Sequence, residues 1–163
     1  MLLIRHYRDR AIDELLAACS HSNPTVRLRA GWILAHTQDP RALPALLALT
    51  EDGDDDVRYD CTVALGILGG PEALRHVVRL WMLEDESRPA AMALCRWGEE
   101  ALEAVALGLG HASAGIRLDA LYVLGHIATP KALAMIESRL DDSDSEVREE
   151  AKYWMESHGA VAR

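Results

Sequence analysis

The sequence predicts an all-α chain, an α–α superhelix (solenoid) of about five two-helix repeats. Three observations carry that expectation. The first is self-similarity at a fixed interval, the signature of a repeat architecture. "RAIDELLAAC" from Arg10 and "RALPALLALT" from Arg41 align without a gap, 31 residues apart. "PTVRLRAGWILAHT" and "DDVRYDCTVALGIL" keep that offset between Val26 and Val57, as do Ile116 and Val147 in "GIRLDALYVLGHIA" and "SEVREEAKYWMESH". The second is helical periodicity inside each repeat, and the third is that no alternating strand pattern competes anywhere.

Residues 1–9 are expected to form an N-terminal cap segment, 10–157 one repeat domain, and 158–163 a tail. Each repeat reads as two helices. The first has apolar residues at i, i+3, i+4 and i+7, as in Leu43, Leu46 and Leu47 with Thr50 closing the pattern, or Leu74, Val77, Val78 and Trp81. Prolines recur in phase at Pro40, Pro71 and Pro130. The second helix starts behind a capping residue, Asn23 before Pro24, Asp54 or Asp144. Its expected core is Val26, Ala30, Ile33 and Leu34, or Val57, Cys61, Ala64 and Leu65. The third repeat, "DESRPAAMALCRWGEEAL", is irregular: Ala101 follows Ala73 by 28 residues, Val-Arg is missing, and Pro89 lies inside its first turn or two.

At 163 residues with half of them apolar, the chain has ample material for a core. No apolar run reaches the ~18 residues of a membrane span, and "MLLIRHYR" lacks the features of a signal peptide. A cytoplasmic location is the expectation. The formal net charge of −9 argues against nucleic acid, whose phosphates need Lys and Arg, and permits a basic partner. Cys19, Cys61 and Cys95 form no CxxC pair, which argues against a disulfide scaffold or zinc site.

The pattern D-x-x-V-R-x-x-A/C-x-x-x-L-G in the second helix, followed by P-x-A-L, resembles the HEAT repeat family, and in particular its short bacterial and archaeal form known from phycobilisome lyase subunits. The second repeat carries it in full with Asp54, Val57, Arg58, Cys61, Leu65, Gly66, Pro71, Ala73 and Leu74; the fourth keeps Ile116, Arg117, Ala120, Leu124, Gly125, Pro130, Ala132 and Leu133. The resemblance implies that Arg27, Arg58, Arg117 and Arg148 form a stacked arginine row bonded to loop groups between repeats. It also implies that first helices lie on the convex side and second helices line a concave one.

Little in the sequence points to catalysis. There is no nucleophile motif, phosphate loop or HExxH. "EDGDDD" and "DDSDSE" lack the spacing and terminal Glu of a calcium loop and recur at the repeat period, so helix capping explains them. His36 and His126 hold equivalent positions three repeats apart, on the order of 25–30 Å, too far to share a metal. His76, between Arg75 and Arg79, reads as part of a solvated basic face. Arg41 beside Glu72, and Glu100 beside Lys131, read as neighbour-repeat ion pairs of small worth. Cys61 fills a small core slot shared with Ala30, Ala120 and Ala151. Trp81 falls on a core phase, and the pattern does not place Trp97. Neither a metal nor a cofactor is expected.

One face remains. Opposite the expected core of the second helices lie Leu28, Trp32 and Ala35, then Tyr59 and Val63, Leu118 and Tyr122, and Glu149 and Tyr153. Acids flank them at Asp56, Asp60, Asp119, Glu146 and Glu150, with Arg29 the exception. Aromatic rings interleaved with carboxylates suit Lys and Arg side chains. In the third repeat, Ser87 and Ala91 align with bulky neighbours and predict a notch between Tyr59 and Tyr122. The face is open to three readings: a partner's binding groove, a homodimer interface, or contact between adjacent repeats. The expected function is a non-enzymatic scaffold or adaptor whose groove holds a basic or amphipathic protein segment. The alternatives are a bilin lyase-like or chromophore-handling subunit, implied by the resemblance alone, and a DNA-repair relative, which the acidic groove disfavours.

Overall fold

The computed structural model describes residues 2–83 and 88–159 and is helical in all its regular elements. Its helices fall into consecutive pairs: α1 (Leu2–Ala18) with α2 (Pro24–Thr37), α3 (Ala42–Leu49) with α4 (Asp55–Leu68), and α5 (Pro71–Leu83) with α6 (Arg88–Leu94). A 3₁₀ segment, Cys95–Ala101, leads into α7 (Leu102–Leu109) and α8 (Ala114–Ile127), followed by α9 (Pro130–Glu137) and α10 (Ser145–Gly159). These are the helix pairs that the 31-residue period predicts, and the chain is of the α-solenoid class. α1 covers the segment expected as a cap. No described helix is long and apolar enough to cross a membrane.

The chain divides into two compact units, Met1–His76 and Val77–Arg163. In the first, α1 packs on α2, α3 on both α2 and α4, and α2 directly on α4. In the second, α8 is central, touching α6, α7, α9, α10 and the 3₁₀ segment. Both follow from short turns between helices that must each bury one apolar stripe.

The local chemistry sets the helix ends. Asn23 accepts from the Thr25 amide, Asp54 from those of Asp56 and Val57, and Asp144 from those of Glu146 and Val147. Pro24 and Pro130 occupy the first turns of α2 and α9, where no amide is needed. One residue past α2, α4 and α8 the backbone turns to positive φ, at Gln38 (54°), Gly69 (75°) and Ala128 (52°). Of these three positions, only the one after α4 holds glycine.

The buried stripes depart from expectation in phase. First helices bury Ala42, Leu46 and Leu49, and Ala73, Val77 and Trp81, leaving Leu43, Leu47, Leu74 and Val78 half-buried. In α2, Ile33 is 50% exposed and Ala35 is fully buried, the reverse of the expected assignment. Ala64 and Val123, at the same register as Ile33, are fully buried. No earlier second helix covers the Ile33 edge among the described residues, whereas Ala35 lies on the stripe, with Gly31, that packs toward α3 and α4. His76 is half-buried and shares a 2.9 Å hydrogen bond with Thr50, so it is not part of a solvated basic face. Arg41 pairs with Asp39 (2.9 Å), Asp13 (2.8 Å) and Asp9 (3.6 Å) rather than with Glu72. No Glu100–Lys131 pair forms among the described residues.

In the irregular third repeat, Ala90, Ala91, Ala93 and Leu94 are fully buried, and Trp97 is buried in the 3₁₀ segment, which kinks at Gly98. Ser87 lies outside the described residues. Ala91, expected on the outward face, is fully buried instead.

Close helix approach depends on glycine. A Cβ on Gly108 would stand 2.0 Å from the Trp81 ring, which is itself fully buried. Gly108→Ala is therefore expected to cost about 2–3 kcal/mol in urea unfolding, while Gly53→Ala, where nothing lies within 4 Å, stays within about 0.5 kcal/mol. The same measurement checks the αL positions: Ala128→Gly should raise stability by about 0.5–1 kcal/mol by relieving positive φ.

Candidate functional site: the second-helix faces

The second helices are held in register by arginines that reach between repeats. Arg27 donates to both carboxylate oxygens of Asp52 at 2.6 and 2.7 Å and to the carbonyls of His21 and Ser22. Arg117 repeats the arrangement with Asp142 at 2.9 and 3.1 Å and the carbonyls of His111 and Ala112. Each receiving Asp also accepts from the amide of the next helix's capping residue, Asp54 or Asp144. Arg58 and Arg148 close the pattern on the carbonyls of Asp52 and Asp142, both at 2.7 Å, and Arg58 also pairs with Asp55. Planar guanidinium forks suit this two-point bonding.

The Arg27 hydrogen bond leads the causes that hold the Asp52 carboxyl below its usual range. At Asp142, burial pushes upward, but bonds from Arg117 and the Asp144 amide outweigh it and the net shift is down. Asp39 is lowered to about 2, first by the Arg41 side chain and then by its amide.

In the first unit, the predicted face carries Trp32 (38% exposed) and Tyr59 (41%) between half-buried Leu28 and Val63. Asp56 is exposed and Asp60 half-buried beside them. A shallow depression of about 340 Å³ is lined by Leu28, Arg29, Trp32, Ile33 and Asp60. Trp32 is steadied by His36, whose Nδ1 lies 2.9 Å from the Trp32 carbonyl and whose ring lies 5.8 Å from the indole.

In the second unit, Leu118, Glu146, Glu149, Glu150 and Tyr153 line a pocket of about 500 Å³, with Arg88 as its cationic wall. Tyr153 is 58% exposed, and Glu146 and Glu149 are exposed. Glu150 is partly committed, accepting from the Trp154 indole at 2.7 Å. Tyr122 is half-buried, touching His126 at 4.3 Å and Trp154 at 6.4 Å. Trp154 rests on Gly125, where a Cβ would come within 2.1 Å, and stacks on His158 at 5.7 Å.

Asp119 departs from expectation. It is 8% exposed and paired with Arg88 at 3.6 Å, so it is not a solvent-facing acid. Burial pushes its carboxyl up, against the pull of the Arg88 charge. Among the thiols, burial pushes Cys61 up to about 12 and Cys95 up to about 11, which suits core packing and not nucleophilic attack. Among the described residues, no group of three or more His, Cys, Asp or Glu side chains could hold a metal ion.

Comparison with known proteins places this geometry. The HEAT-repeat family profile matches residues 12–90 and again 83–155. The chain belongs to the HEAT-repeat family. None of the curated proteins matches it. Among solved structures, one similar fold is the complex of CpcE and CpcF of phycocyanin lyase from Nostoc sp. PCC7120, with a TM-score of 0.61 and 22% identity over 91% of this chain; the match spans 65% of that longer chain. Another is a designed armadillo repeat protein in complex with the peptide (KR)4, with a TM-score of 0.55, 19% identity and 94% and 84% of the two chains covered.

Within this HEAT framework, sequence reading assigned Asp52 and Asp142 only to capping runs. Their second role was encoded in the offset. Both stand five residues before the Val-Arg pair of their repeat, where the first and fourth repeats place His21 and His111. The Asp142 side chain is 4% exposed and that of Arg117 10%, so Asp142→Asn leaves a buried guanidinium short of its anion. A loss of about 3 kcal/mol at pH 7 is expected in denaturant titration. Asp39, Asp52 and Asp142 sit below their unfolded value of about 4, so their contribution is complete above that pH. It is lost as pH falls through the folded values, near 2 for Asp39. Wild-type stability should drop steeply below pH 4, and Asp142→Asn should flatten that slope.

Proposed function

We propose that the chain is a protein-binding module whose second-helix faces hold a basic or amphipathic protein segment. The observation that carries this reading is the recurrence, in both units, of exposed aromatic rings beside carboxylates on the same helix face. Trp32 and Tyr59 stand with Asp56 and Asp60, and Tyr153 stands with Glu146 and Glu149. Tyr and Trp supply burial with little side-chain entropy to lose. Carboxylates beside them select Lys and Arg by charge-assisted bonds, while the ring faces accept the cation. Two fold neighbours support a partner-binding role: one is recorded as a complex of two protein subunits, the other with a peptide of alternating Lys and Arg.

A second reading rests on the phycocyanin lyase neighbour: the same rings would stack a tetrapyrrole, making the chain a chromophore-handling subunit. Coexpression with bilin distinguishes the two, because only this second reading yields a bound visible absorbance.

Fluorescein-labelled (Lys-Arg)4 tests the first reading by anisotropy. Wild type should bind with micromolar affinity at low salt and weaken as salt rises. Asp60→Lys and Glu149→Lys should each weaken binding about threefold to tenfold and reduce the salt slope. Trp32→Ser/Tyr153→Ser should weaken it at every salt concentration. Wild-type affinity unchanged by both charge reversals would refute the electrostatic part.

A further inference from the structure

The second unit already holds a guanidinium where a partner's basic side chain would go. The Arg88 guanidinium carbon lies 4.1 Å from the centroid of the Tyr122 ring. One of its nitrogens stands 3.6 Å from Asp119, outside hydrogen-bonding distance. The Arg88 side chain is 57% exposed and that of Asp119 11%, so the cation sits on the solvent side and the anion at the base. Rotation of one surface side chain would vacate the seat without unfolding any helix.

The base of the seat is imperfectly satisfied. The Trp81 indole N–H, fully buried, approaches Asp119 without closing a hydrogen bond. Buried polar groups left in this state carry a cost that a better-placed donor relieves. Arg88 also forms one wall of the pocket that Glu146, Glu149 and Tyr153 line. A segment with two neighbouring cations could therefore place one over Tyr122 and the other against these glutamates.

We propose that Arg88 is a built-in occupant of a guanidinium seat formed by Tyr122 and Asp119, and that a basic protein segment binds the second unit by displacing it. This rests on reading the face as a site for such a segment, and it adds a direction that reading lacks: removing a cation from a cation-binding face should strengthen binding selectively.

The test uses the full chain and the labelled (Lys-Arg)4 peptide, with folding of each variant verified by circular dichroism. Arg88→Ala, and Arg88→Gln as the variant that better preserves packing, should bind about fivefold to tenfold tighter than wild type. That is the factor expected if the seat is filled roughly 80–90% of the time. Arg96→Ala, which removes the same charge from an exposed position outside the pocket, should change affinity less than twofold. Tyr122→Leu added to Arg88→Gln should cancel the gain. Millimolar methylguanidinium should raise the thermal midpoint of Arg88→Gln and leave wild type unmoved. If wild type binds and neither Arg88 variant binds tighter, Arg88 is a structural ion pair; the displacement is overturned and the groove reading stands. If no protein binds the peptide, both are overturned, whether or not methylguanidinium stabilises the variant. Binding by the Arg88 variants alone would support displacement in its strongest form.

Discussion

The arginine forks between repeats are the constraint on which the second-helix faces depend. Arg27 and Arg117 each tie three things together: their own helix, the turn before it, and an aspartate in the turn of the next repeat. That aspartate also accepts from the amide of the following second helix's capping residue, Asp54 or Asp144. A shift of one helix by a single residue would break two charge-assisted bonds and that amide hydrogen bond at once. Apolar packing alone is more forgiving, since small and aliphatic side chains slide with modest cost. A buried ion pair adds little net stability over an apolar substitute, but it penalises wrong registers heavily. Its contribution here is specificity of alignment.

Alignment matters because the outward face is defined by it. With the Val, Ala or Cys, and Leu positions fixed inward, the residues two and six after the repeat's valine or isoleucine are turned out, which places Trp32, Tyr59 and Tyr153 in partial or full exposure. The rings are then steadied from behind. His36 and His126 lie 2.9 and 2.8 Å from the carbonyls of Trp32 and Tyr122 and pack against those rings. Trp154 is anchored at both ends, by Glu150 and by its seat on Gly125. Rings held this way lose less freedom on binding than rings on loops.

The period, the pairing of helices and the capping residues were legible in the sequence because each recurs at one offset with one physical cause. The failures share a cause as well: they occur where a residue's partner is not its repeat equivalent. Ile33 has the same register as Ala64 and Val123, yet it is half exposed where they are fully buried, and no second helix precedes α2 among the described residues. Asp119 looked like its half-buried counterpart Asp60, but Arg88 comes from the irregular third repeat, whose length change hides its position. Asp52 and Asp142 read as caps because their arginine partners lie 25 residues upstream. Of the candidate face, residue types and phase were legible, and burial was not.

That distinction changes what the net charge means. A formal −9 suggests a uniformly anionic surface, yet many of the acids are already engaged. Asp39, Asp52, Asp54, Asp142 and Asp144 are consumed by arginines and backbone amides in the turns. Asp119 is buried under Arg88, and Glu150 is engaged with Trp154. A carboxylate already hydrogen-bonded to a guanidinium, as at Asp39, Asp52 and Asp142, offers a second cation little, since its charge is neutralised locally and its oxygens are occupied. On the second-helix faces, Asp56, Asp60, Glu146 and Glu149 stand beside the rings and are the acids that the proposed reading assigns to a partner. On the proposed reading, selectivity for a basic segment would come from a few carboxylates placed next to aromatic surface, and the overall charge would serve mainly to bring such a segment within reach.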